Sequence, residues 1–240
     1  MTKKRKLELS PRLQLLADWV PDGARIADVG TDHAFLPVWL MLNGKVSSAI
    51  ASDLREGPLA RGAETAEEYG LADHIEMRLC SGLAGIDPTE VDVVIIAGMG
   101  GENIAQILAA APWTSDGKHT VLLQPMSKMD LLRHFLSDNG YEITREQLVR
   151  DRGTVYPVME VKAGHMHLTL GQLHAGVKLN RDPLQDRALI ERIIRCHSVV
   201  AGLKRTGRPE DIKKADEIRD LIGELLTMRE EWRHANSSGN

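Results

Sequence analysis

Cysteine is nearly absent: the 240-residue chain has two, Cys80 and Cys196, far apart and without Cys-x-x-Cys spacing. This excludes a disulfide framework and a cysteine-based zinc site, and it suits a reducing compartment, so a cytoplasmic location is expected. No apolar run approaches the roughly 20 residues that cross a bilayer. The basic cluster near the N-terminus, within Met1 to Ser10, has no apolar stretch behind it and does not read as a secretory leader. Proline and glycine are too few for a fibrous or disordered chain. Nor is there a strong excess of one charge. The net charge is −4, with 13 basic against 11 acidic residues from Gly164 onward and 17 against 23 before it. That mild asymmetry permits a nucleic-acid partner without requiring one.

What is present is a chain with 42 % hydrophobic residues, enough for a sizeable core. Ser10-Pro11 reads as the start of a helix reaching Val20. Arg25 to Val29, Ala49 to Asp53, His74 to Leu79, Val91 to Ala97 and Thr120 to Leu123 read as strands. Helices are expected from near Pro37, from Pro58 to Tyr69, from Gly101 through Ala110 and from Ser127 to Asp138. The alternation predicts a parallel sheet covered on both faces. After Asn139-Gly140 the pattern changes to two strand-like runs, 141–149 and 155–161, joined by a hairpin turn at 150–154. The fold class is therefore α/β, a Rossmann-like domain of seven strands closing with an antiparallel hairpin, over residues 1–163. Residues 164–240 form a second, all-α domain. There Leu189, Ile193, Cys196, Val200 and Leu203 make one seam, and Ile218, Leu221, Leu225, Met228 and Trp232 another. Two short seams joined by a break at 206–209 predict a self-paired, coiled-coil-like helical hairpin, hence a monomer or a weak dimer.

The first strand ends in Asp28-Val29-Gly30-Thr31-Asp32-His33-Ala34. A dinucleotide loop needs G-x-G-x-x-G to cradle a pyrophosphate. Here Gly30 stands alone and a second carboxylate, Asp32, takes the place of the next glycine. Such a loop repels a diphosphate and suits a cation, which favours S-adenosylmethionine, with its sulfonium and ammonium, over NAD. Asp53 at the end of the second strand can accept the hydroxyls of an adenosyl ribose, or simply cap the next helix. Gly98-Met99-Gly100-Gly101 after the fourth strand requires either close backbone approach or positive φ. With Gln124-Pro125 after the fifth, these loops should meet at one edge of the sheet. His165 and His167 lack a third ligand nearby, so no metal is expected.

The strings DVGTDHAFLP at 28–37, AGMGG at 97–101, LQP at 123–125 and NGY at 139–141 together resemble the bacterial tRNA (adenine-22-N1)-methyltransferase family. Two positions depart from it: Met126 where asparagine is frequent, and Ser81 where several members have Asp or Asn. The resemblance implies methyl transfer from S-adenosylmethionine to N1 of an adenine in the D-loop region of tRNA. It implies cofactor binding by Asp28, Gly30, Thr31, Asp53, Leu54, Ser81, Gly82, Gly98, Met99 and Gly100, and tRNA contacts from the helical tail. Around the target base, Asp32 is expected to stabilise developing positive charge, with His33 and the Ala97 and Gly98 carbonyls holding the exocyclic amine. The basic residues Arg181, Arg187, Arg192, Arg195, Lys204, Arg205 and Arg208, with Lys3, Lys4, Arg5 and Lys6, are candidate phosphate contacts, although each could equally be a solvated surface charge. Competing expectations are a methyltransferase acting on another RNA, a small molecule or a protein, and a non-catalytic cofactor-binding or partner-docking protein.

Overall fold

A computed structural model describes residues 7–237, so the candidates Lys3, Lys4, Arg5 and Lys6 lie outside the described residues. The first helix, α1 (Pro11–Trp19), precedes strand β1 (Ala24–Val29). Then follow α2 (Phe35–Leu42), β2 (Val46–Asp53), α3 (Glu56–Glu68), β3 (Ile75–Leu79), β4 (Val93–Gly100), α4 (Gly101–Ala109), β5 (Thr120–Ser127) and α5 (Met129–Asp138). The sheet closes with β6 (Tyr141–Asp151) and β7 (Thr154–Ala163), and its strand order is β3-β2-β1-β4-β5-β7-β6. β7 is antiparallel to both β5 and β6. The first five strands pair in parallel. β6 therefore runs in the same direction as they do, and the β6–β7 turn emerges at the edge where their carboxyl ends lie.

Alternation along the central strands produces two cores. Ile26, Val93, Ile95 and Leu122 face one side, packed with Leu16, Leu36, Val38 and Leu40 of α1 and α2. Ala27, Val94, Ile96, Val121 and Leu123 face the other, packed with Ile104, Leu108, Leu132 and Leu136 of α4 and α5. Each residue of β4 from Val93 to Ile96 is at most 2 % exposed, as a central parallel strand requires.

Several boundaries differ from expectation. β4 and β5 extend into the sequences read as loops, because the backbone of 97–100 keeps pairing with 124–127 through register shifts. α2 begins at Phe35 rather than Pro37, with Ala34 in the left-handed region at φ 52°. Ser10 occupies the N-cap of α1, but its hydroxyl makes no capping hydrogen bond. At Gly101 a Cβ would run into the Lys128 carbonyl oxygen, so α4 can start against the β5–α5 loop only with glycine. Gly101→Ala is expected to cost about 1–3 kcal/mol of unfolding free energy in urea; a midpoint unchanged from wild type would show that this loop yields freely.

Beyond β7 come a short helix not anticipated from the sequence, α6 (Leu170–Ala175), and the long helices α7 (Gln185–Thr206) and α8 (Pro209–Ser237). Thr169 and Gln172 form a capping box on α6. Gly207, at φ 67°, ends α7 in a left-handed cap. α7 and α8 pair with each other through Leu189, Ile193, Cys196 and Val200 against Ala215, Leu221, Ile222 and Leu225. Their hairpin is self-paired as its seams predict. A buried ion pair ties it to the sheet: Arg133 of α5 donates to Glu146 of β6 at 2.6 Å and to the Leu173 carbonyl of α6 at 2.8 Å. The other Glu146 oxygen accepts the Val177 N–H at 2.7 Å. Among the described residues no helix is long and apolar enough to cross a membrane.

Candidate active site

Two cavities open along the carboxyl edge of the sheet and share Gly30. The first, about 430 Å³, is lined by Asp53, Leu54, Ser81, Gly82, Met99 and Asn103 among others. The second, about 530 Å³, is lined by Asp28, Thr31, Asp32, His33, Phe35, Ala97, Gly98, Arg12 and Arg152. Residues expected from the ends of four separate strands thus converge on one cleft. Gly100 does not line it; its φ is −68°, and a Cβ there would press on Ser127 Oγ.

Gly30 is the hinge of the two halves. Its φ is +77°, and the Met99 side-chain methyl occupies the place a Cβ would take. The Gly30 and Thr31 N–H groups both donate to the Ser52 carbonyl, at 2.8 and 2.9 Å, which folds the loop back over β2. Asp53 uses one carboxylate oxygen to accept the Arg55 N–H at 2.9 Å; Arg55, not Asp53, is the N-cap of α3, so the capping alternative for Asp53 does not hold. Its other oxygen makes no hydrogen bond among the described residues. Beside it the Ser52 hydroxyl is buried without a partner. Leu54 is 68 % exposed and offers an apolar wall. A vicinal diol would satisfy the idle carboxylate oxygen, and the cradle over Gly30 is open to a ligand if Met99 turns aside. The donor set therefore fits an adenosyl group.

The two carboxylates of the first loop behave differently, which corrects the picture of a uniformly acidic turn. Asp28 is buried, and desolvation pushes its pKa up to about 6, opposed by a hydrogen bond with Thr31. A bound cation would relieve that burial cost. Asp32 is 60 % exposed in its side chain and is neutralised by an ion pair with Arg61 of α3. The Arg61 hydrogen bond holds the Asp32 carboxyl below its usual range. Asp32 is thus an anion with a partner rather than a free charge. His33 lies 3.6 Å from Asp32 and stacks on Phe35, with centroids 5.0 Å apart and rings 5° from parallel. Phe35 is 40 % exposed. A stacked pair with an open rim is a platform for a planar ring.

The floor of the second cavity was not legible in the motifs. Arg12 of α1 donates to Asp151 at 2.9 Å and to Gln124 Oε1 at 2.9 Å. That same Gln124 oxygen accepts the Gly98 N–H at 3.2 Å, and Gly98 has φ +76°. Gln124, fully buried, therefore fixes the peptide that carries the Ala97 carbonyl. Met126 sits on this network with its sulfur 3.7 Å from Arg12, a soft contact in place of a polar one. A lone arginine in an amphipathic helix carries no signal of such a role.

The tail residues divide. Arg192 is half-buried and donates to the His174 carbonyl at 3.1 Å, capping α6. Arg187 and Arg195 both reach Glu191, at 2.8 and 3.8 Å, and Arg208 pairs with Asp211 at 2.8 Å. Arg181, Lys204 and Arg205 are exposed and make no ion pair among the described residues. Among the described residues no group of three His, Cys, Asp or Glu side chains is arranged to hold a metal.

Comparison with known proteins agrees with this geometry. The methyltransferase-domain family matches residues 9–159. The Bacillus subtilis tRNA (adenine(22)-N(1))-methyltransferase is 40 % identical over 159 residues, covering 66 % of this chain and 67 % of that protein. The chain belongs to the tRNA (adenine(22)-N(1))-methyltransferase family. The solved structure of the Bacillus subtilis tRNA methyltransferase TrmK superposes with a TM-score of 0.85 at 31 % identity, covering 93 % of this chain and all (100 %) of that one. A Streptococcus pneumoniae protein solved in complex with S-adenosyl-L-methionine superposes with a TM-score of 0.79 at 31 % identity, covering 91 % and 98 %. With more than nine-tenths of the chain covered, the superposed fold extends past the sheet into the helical tail, so the tail is a feature of the family's architecture.

Proposed function

We propose that this protein transfers a methyl group from S-adenosylmethionine to N1 of adenine 22 of tRNA. The observation that carries the reading is the bipartite cleft. A diol-accepting half at Asp53 joins, over Gly30, a half that holds a buried carboxylate and an open aromatic platform. The methylating activity and the tRNA substrate follow family membership, and the cofactor fits the donor set of both halves.

S-adenosylmethionine supplies an electrophilic methyl on a sulfonium. Asp53 and Leu54 would hold its ribose, Ser81 and Gly82 its adenine, and Asp28 with Thr31 its ammonium, with Met99 between the two halves. Adenine N1 is unprotonated near neutral pH and needs no base, so the protein's task is exposure and alignment. The target base stacks against the Phe35–His33 pair. The Ala97 carbonyl, aligned by Gln124, and the Gly98 carbonyl accept from its exocyclic amine. Positive charge grows on the purine during transfer, and Asp32 stabilises it at a strength lowered by Arg61. His33 is placed to receive a proton afterwards.

The tRNA backbone runs from this cavity towards the helical tail. A groove of about 210 Å³ connects Met126 and Thr154 with Arg192 and Arg195 of α7. Residues 164–240 act as the tRNA-holding unit, with Arg181, Lys204 and Arg205 free to meet phosphates, and the protein works in the cytoplasm as a monomer or a weak dimer.

The test is incorporation of labelled methyl into a defined tRNA transcript, with adenine 22 intact or replaced by guanine. Label in the first and none in the second is expected. Equal label in both would overturn the position, and cofactor binding with no label in any RNA would overturn the RNA substrate.

A further inference from the structure

We propose that Arg152, at the tip of the β6–β7 hairpin, grips a phosphodiester of the RNA strand next to the target nucleotide; this rests on the RNA-methylating reading above. Asp151 pairs with Thr154, leaving a two-residue turn whose φ angles are +48° at Arg152 and +85° at Gly153. Such a turn is of type I′, and its first central position favours Asn, Asp or Gly, which tolerate the left-handed region. Arginine there brings strain and contributes nothing to the turn. Only two other non-glycine residues among those described, Ala34 and Lys128, share a positive φ.

The strain persists because the tip is held from below. Asp151 is buried and bonded to Arg12 at 2.9 Å, which pins the hairpin end to α1. The turn therefore stands at the carboxyl edge of the sheet, and Arg152 lines the cavity that holds Asp28, His33 and Phe35.

Charge on this cavity separates Arg152 from its neighbours. Arg12 is spent on Asp151 and Gln124, and Asp32 holds Arg61. Glu8, Asp28 and the Arg61-paired Asp32 also line the cavity, so its carboxylates offer a polyanionic strand no attraction. Arg152 is exposed and makes no hydrogen bond or ion pair among the described residues. It is the lining cation with its fork unengaged. Thr154, two residues on, opens the groove towards Arg192 and Arg195, so Arg152 sits where a strand leaving the base pocket must pass. A guanidinium matches a phosphate by two parallel hydrogen bonds.

The experiment compares wild type with Arg152→Asn and Arg152→Lys on the same tRNA transcript. Asn suits the turn better, so its melting temperature should rise by roughly 2 °C. Its kcat/KM should nevertheless fall about tenfold, carried by KM, and the slope of log Kd against log salt should drop by about one. Affinity for S-adenosylmethionine should stay within about twofold of wild type, because Arg152 shares a cavity with Asp28 and Thr31 but makes no hydrogen bond or ion pair with either among the described residues. Arg152→Lys should retain the wild-type salt slope, because the charge remains. An Asn variant with wild-type KM and salt slope overturns the proposal, as does one that loses kcat alone. Wild-type protein that binds cofactor but neither binds nor methylates tRNA overturns the RNA-methylating reading and this role with it; wild-type activity beside an unaltered Asn variant overturns only the role.

Discussion

Asp28→Asn is expected to stabilise the ligand-free protein by about 3 kcal/mol at neutral pH and to weaken its binding of the cofactor. The wild-type carboxyl is buried and its pKa is raised from 3.8 to about 6. One pKa unit corresponds to about 1.4 kcal/mol, so keeping this group ionised in the fold costs about 3 kcal/mol. The sign follows from proton counting. Between pH 3.8 and about 6 the native state binds more protons than the unfolded state at this position, so the carboxyl's contribution to stability is lost as pH rises through that window. Asparagine keeps the shape and a partner for Thr31 but carries no charge to desolvate. Denaturant melts of both proteins should therefore differ little near pH 3.5, and the variant should exceed wild type above pH 6. That gain corresponds to roughly 5–10 °C in Tm. An identical difference at both pH values would mean that Asp28 is not the titrating group. The same burial makes the wild-type site hungry for a cation. S-adenosylmethionine affinity should fall as pH drops below about 6 in wild type, and should be roughly a hundredfold weaker and flat with pH in the variant, as calorimetry would read.

The second large effect is expected at Arg133. The side chains of Arg133 and Glu146 are 3 % and 0 % exposed, and their bond lies between the sheet and the chain leading to α7. Arg133→Met leaves the Glu146 charge buried with the Val177 N–H as its remaining donor, which should cost about 3–5 kcal/mol. The Leu173 carbonyl loses its donor as well. Replacing both partners, Arg133→Met with Glu146→Gln, removes the unpaired charge and should recover much of the loss, since buried pairs cost more to break than to replace. Urea unfolding of the four proteins in a double-mutant cycle measures the coupling. Additive effects would show that the two groups do not act as a pair. Amide exchange around Leu173 and Val177 should rise in the single variant even where the sheet stays protected, because those are the backbone groups set loose.

These two sites differ in how far the sequence announces them. Asp28 stands in a short motif at the end of an apolar strand, and its role as a cation-facing carboxylate follows from position and from the missing second glycine. Asp32 in the same motif looked equivalent. Arg61, 29 residues later, makes it different, and nothing local pairs them. Arg133 reads as a surface charge on an amphipathic helix, yet it is buried because α6 lies over it. Arg12 likewise lies on a helix whose periodicity says only which face packs. Its partners are 112 and 139 residues away.

Alternation of strands and helices, the closing hairpin and the paired seams of the tail are all patterns of neighbouring residues, because hydrophobic period and turn chemistry act over a few positions. So are Gly30, Asp53 and Gly98, whose loops must meet once the strands are parallel. The sequence alone therefore determined the layers, the edge where the cleft opens and the residues at the strand ends. Tertiary structure alone decided which charges there remain free: Asp32 is neutralised, Arg12 is occupied and Arg152 is left open. Ion pairing depends on distances between distant segments, and those exist only after the sheet, α1 and α3 have packed.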